Sequence, residues 1–88
     1  MSAELDQRRR NVRVLDLLAE SYEAYERGDQ AAFAAALDQA IKCDAAVVTV
    51  IKGGMLIGEI PRPEEDFGAW TEYVAAQHEG LARAEAAR

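Results

Sequence analysis

The sequence predicts a mainly α domain: an antiparallel helical hairpin, a central β-hairpin and a C-terminal helix. Three observations lead to this expectation. Apolar residues recur at helical spacing from Val12 to Tyr25 and again from Phe33 to Ile41. A Gly28-Asp29 corner separates the two runs. The stretch Ala46 to Pro63 is a long apolar run without a clear helical stripe, and it holds the only Gly-Gly pair and both prolines. With 88 residues, the expectation is a single domain over 1–88.

The first helix is expected over 1–27. Glu4 and Asp6 fall in its first turn, where the helix dipole favours acids. Val12, Val14, Leu15, Leu18, Ala19, Tyr22 and Tyr25 fall within an arc of about 160°, wider than the ~100° stripe of a helix with one buried face. Leu17 falls outside that arc, among polar residues. A stripe this wide predicts two contacts, one within the chain and one beyond it. On the polar side, Arg9 and Arg13 are spaced to pair with Asp16 and Glu20.

Gly28 suits the left-handed position after a helix, and Asp29 suits the cap of the next. The second helix, expected over 29–42, puts Phe33, Ala36, Leu37, Ala40 and Ile41 on one face. The short connection makes the pair antiparallel neighbours. Leu18 to Ile41, with its Ala-x-x-Tyr spacing, Gly-Asp corner and alanine-lined second helix, resembles the helix-turn-helix of a tetratricopeptide-type repeat. The corner falls about two places late for that pattern and there is one copy, where such arrays need about three. The segment is therefore read as a generic αα-hairpin, with no family membership.

The central stretch, 46–60, carries five β-branched residues in succession, Val47 to Ile51, which suit a pleated strand. Gly53-Gly54 supplies a tight turn, and Met55 to Ile60 the return strand, ended by Pro61. Both faces of that hairpin are largely apolar, so it needs cover from helices or from a second copy. The alternative is an all-α chain with 45–53 as a short third helix, capped by Asp44 and stopped at Gly53. Gly53 to Gly58 also has the glycines of a phosphate-cradling loop, but lacks the Lys-Ser/Thr ending that gives such loops specificity. Residues 61–65, with two prolines and two acids, read as an extended, solvated linker. The last helix, expected over 66–85, has Phe67, Trp70, Tyr73, Val74, Gln77, Leu81 and Ala84 on one stripe, with Gly80 weakening its middle and a frayed end after Leu81.

A net charge of −6 and a pI near 4.7 argue against general binding to nucleic acid or anionic membrane. One cysteine, Cys43, gives no internal disulfide. Absence of a basic-then-apolar leader pattern makes the cytoplasm the expected location. His78 has no second His or Cys at ligand spacing, so no metal is expected. Glu59, Glu64, Glu65 and Asp66 lie close in sequence without a visible pocket, and no catalytic pairing stands out. The expected function is a small, acidic, non-enzymatic interaction or regulatory module without a cofactor. It is expected to form a homodimer through Val14, Leu17, Tyr25, Met55 and Ile57. Two alternatives stand beside it: a small-molecule pocket at Trp70 and Tyr73, and a nucleic-acid regulator gripping phosphates through Arg8, Arg9, Arg10 and Arg13.

Overall fold

The computed structural model describes residues 3–87, and its first helix, α1 (Ala3–Glu26), has both other helices packed along it. These are α2 (Gln30–Leu56) and α3 (Phe67–Ala86). No strand occurs among the described residues. The central β-hairpin is therefore corrected: 46–56 continues α2. Of the two expectations the helical one fits, except that the helix runs past Gly53 to Leu56.

The α1–α2 corner forms as expected. Gly28 adopts φ +76° and donates to the Tyr25 carbonyl at 3.0 Å, while Asp29 N–H donates to the Ala24 carbonyl at 2.9 Å. This is a Schellman ending. Asp29 then caps α2 by accepting from Ala32 N–H at 3.0 Å.

α2 is broken at Asp44, whose φ of −165° and ψ of 94° are extended. Phe33 and Leu37 line the same groove as Lys52 and Met55. A straight helix would separate Leu37 from Met55 by about 27 Å. The second limb, 45–56, therefore folds back on the first, 30–43. Asp44 caps the new limb by accepting from Val47 N–H at 3.3 Å. Its other oxygen accepts from Gln7 Nε2 at 3.1 Å and Arg10 Nε at 3.3 Å, tying the break to the start of α1.

This explains why β-branched residues sit in a helix. In the second limb Val47, Val48, Ile51 and Met55 all turn inward, joining Leu15, Leu17, Leu18 and Ala40. A strand would have divided them between two faces, and only one faces the core. Burial outweighs the local β preference, which spans only about 1 kcal/mol per residue.

The second limb ends on Gly58 rather than Gly53. Gly58 has φ +79°, and Glu59 N–H donates to the Gly54 carbonyl at 2.8 Å, a second Schellman ending. Ile60 folds back onto Gly54, which is buried. The expected extended linker is also corrected. Pro63 is buried, Arg62 Nε donates to the Met55 carbonyl at 3.2 Å, and Asp66 N–H donates to the Arg62 carbonyl at 3.0 Å, making a turn. Asp66 caps α3 by accepting from Ala69 N–H at 3.0 Å. α3 runs antiparallel to α1, with Phe67 stacked on Tyr22 and Glu85 paired to Arg9 at 2.9 Å, so the helix persists beyond Leu81 to Ala86.

The two glycines of α2 make opposite predictions. A Cβ at Gly54 would meet Ile60 Cδ1 at 2.6 Å and Cγ1 at 2.8 Å, whereas at Gly53 it would meet nothing. Gly53→Ala is expected to stabilise by about 0.5–1 kcal/mol through helix propensity. Gly54→Ala gains the same propensity but forces a β-branched side chain out of place, for a net loss of about 1 kcal/mol. Urea denaturation of the two variants checks the opposite signs.

The donors on Asp44, Gln7 first, hold its carboxyl below its ordinary value of 3.8, against the opposing effect of desolvation. The folded state thus favours the ionised form. Its stabilising contribution is complete above pH 3.8 and is lost as the pH falls through the depressed folded value. Stability is expected to fall less steeply with acidification in Asp44→Asn than in the parent, measured by urea midpoints across the acid range.

Candidate functional site

The second limb of α2 buries one side and leaves an outer arc of about 160° in water. That arc carries Ala45, Ala46, Thr49, Val50, Lys52, Gly53, Leu56 and Ile57, with Lys52 its sole charge. Val50, Leu56 and Ile57 are 70%, 75% and 70% exposed. These three large apolar side chains are thus grouped on one face of the second limb.

The expected interface residues divide. Ile57 lies on this face. Tyr25, 64% exposed, lies at the far end of α1 with its ring 5.8 Å from that of Phe33. Met55 is half-buried and lines an inner groove. Val14 and Leu17 are corrected: at 0% and 2% exposure they belong to the chain's own core. The wide stripe on α1 is accounted for by α2 and α3 packing on it together, without a second molecule. Sequence reasoning missed Val50 and Leu56 as surface residues. A helical wheel over 45–57 places both on the side away from Val48, Ile51 and Met55.

Trp70 and Tyr73 stack at 6.3 Å between ring centroids, yet they line different grooves. Trp70 is buried, and its edges reach a groove of about 600 Å³ between α1 and α3, with Ala19, Val74 and His78. They also reach a groove of about 420 Å³ between α1, both limbs of α2 and the turn before α3. Tyr73 lines a third groove with Gln7, Val47 and Ile60. Burial raises its phenol above the ordinary 10.0. The single expected pocket is thus replaced by separate grooves, two lined by Trp70 and one by Tyr73.

The arginine cluster is half committed within the chain. Arg9 pairs with Glu85 at 2.9 Å and Asp6 at 3.2 Å, and Arg10 pairs with Asp44 at 3.3 Å. Arg8 and Arg13 are exposed and have no ion-pair partner among the described residues. The expected Arg9 and Arg13 pairs with Asp16 and Glu20 do not form. Asp16 instead meets His78 Nε2 at 2.7 Å, linking α1 to α3 at the surface. Cys43 is half-buried with a free thiol. Among the described residues no three His, Cys, Asp or Glu side chains converge as a metal site, and no helix is long and apolar enough to cross a membrane. Gly53 and Gly54 lie inside α2, so they form no loop around a phosphate.

Comparison with protein-family models, with curated proteins and with solved structures finds no match.

Arg10 and Arg13 are separable by their partners. Arg10→Ala, which strips a donor from Asp44, is expected to lower the thermal midpoint, and Arg13→Ala to leave it unchanged. Circular dichroism melts at low salt check this.

Proposed function

We propose that the protein is a non-enzymatic protein–protein interaction module that acts as a homodimer through the outer face of the second limb of α2. The observation that carries this reading is the grouping of Val50, Leu56 and Ile57, each about three-quarters open to water.

Magnitudes favour a contact larger than those three residues. Burying each contributes about 1.5–3 kcal/mol, and a symmetric pair counts each twice. The sum is of the order of the roughly 4–15 kcal/mol that association costs in lost freedom. Ala45, Ala46 and Thr49 extend the same arc, and their small side chains let two helix backbones approach closely. The partner is taken to be a second copy because the arc is nearly free of charge on a chain of net charge −6. Two such surfaces can meet without placing acids opposite acids.

Sedimentation equilibrium at micromolar concentration tests the reading. The expected mass is twice 9.6 kDa for the parent and 9.6 kDa for Val50→Glu/Ile57→Glu, with helicity unchanged. A parent that sediments as a 9.6 kDa monomer overturns it.

A further inference from the structure

The groove of about 420 Å³ beside Trp70 has a composition unlike the rest of the surface. Of the six aromatic residues in the chain, Tyr22, Tyr25, Phe33 and Trp70 line it. A fifth, Phe67, stacks behind Tyr22 at 5.8 Å. Tyr25 remains largely open, Tyr22 and Phe33 are half-buried, and Trp70 is a core residue that reaches the groove at its edge. The only charged residues on its walls are Lys52 and Glu64, of opposite sign. Both are exposed, and neither has an ion-pair partner among the described residues.

An aromatic trough with one free cation and one free anion has a definite chemical complement. That complement is a molecule with a planar or bulky apolar body and two charged groups, one of each sign. We propose that this groove binds a small amphipathic zwitterion of the amino-acid class. Its side chain lies among Tyr22, Tyr25, Phe33 and Trp70, its carboxylate faces Lys52 and its ammonium faces Glu64. The volume lies at the low end of the ~300–1,000 Å³ typical of small-molecule sites. Tyr22 contributes a neutral phenol: partial burial and its hydrogen bond to Glu26 raise it above the ordinary 10.0, so it adds no anion to the wall. Ser21 donates its hydroxyl to the Leu18 carbonyl at 2.7 Å, which leaves its own lone pairs to accept from a ligand.

The intact chain provides its own reporter, because Trp70 is the only tryptophan and edges the groove. Its emission is followed during titration with L-phenylalanine, with phenethylamine, which lacks the carboxylate, and with 3-phenylpropionate, which lacks the ammonium. Saturable binding is expected for all three, with phenylalanine tighter than either analogue by about tenfold, or 1.4 kcal/mol. Lys52→Met is expected to equalise phenylalanine and phenethylamine, and Glu64→Gln to equalise phenylalanine and phenylpropionate. Both residues are exposed, so folding is unaffected, which far-UV circular dichroism checks. A flat response to millimolar phenylalanine, an analogue bound as tightly as phenylalanine, or variants that leave the ranking intact overturns the site. Titration of the parent chain is independent of the proposed dimer. A monomer that binds phenylalanine removes the dimer alone, and a dimer indifferent to it removes the groove alone.

Discussion

The carboxylate of Asp44 holds together the arrangement on which the rest of the structure depends. Its oxygens accept from Val47 N–H, from Gln7 and from Arg10, so one side chain caps the second limb of α2 and fastens it to the start of α1. Were the 27 residues of α2 unbroken, they would make a rod of about 40 Å. Such a rod, running antiparallel to α1, would carry Val48 and Ile51 past Leu15 and Leu18 to the level of its first turns. Folding at Asp44 brings those residues alongside Leu15 and Leu18, and sets Met55 near Leu37. The Schellman ending at Gly58 then returns the chain so that Ile60 closes on Gly54 and Trp70 enters the core from α3.

Enclosure of α1 has an energetic consequence for the exterior. A domain of this size is stable by only about 5–15 kcal/mol. The residues that stabilise it are the inward ones of each limb, so the second limb of α2 must turn its other side to water. That side is apolar, with Val50, Leu56 and Ile57 open and a single charge at its margin. The homodimer proposed above would bury this face. The aromatic groove lies on the other side of Lys52, between the two limbs and α1, and is shaped by the same fold at Asp44.

Much of the candidate surface was legible only once the state of residues 46–60 was known. Read as a hairpin, Val50 shares a face with Ile57 and Met55, and Leu56 lies opposite. Read as a helix, Met55 turns inward while Val50, Leu56 and Ile57 share the exterior. Of the expected interface residues, Ile57 and Tyr25 are exposed, whereas Val14 and Leu17 are buried in the chain's own core. The stripe on α1 was wide because two helices cover it, and periodicity reports the width of a buried arc without identifying what buries it. Trp70 and Tyr73 share a helical stripe and their rings stack, yet Trp70 lines two grooves and Tyr73 a third.

From the sequence by itself came the punctuation of the chain: Gly28 ending α1, Asp29 and Asp66 opening the next helices, and the apolar stripe that anchors α3 through Trp70. These are local events, decided by backbone donors and acceptors within about one turn of the capping residue. Tertiary structure decided that 46–56 is helix and which apolar residues stay in water. Those outcomes depend on partners such as Arg10 and Gln7, which lie 34 and 37 positions from Asp44. The β-propensity scale spans only about 1 kcal/mol across residue types, and burial of one valine or isoleucine against α1 contributes more than that.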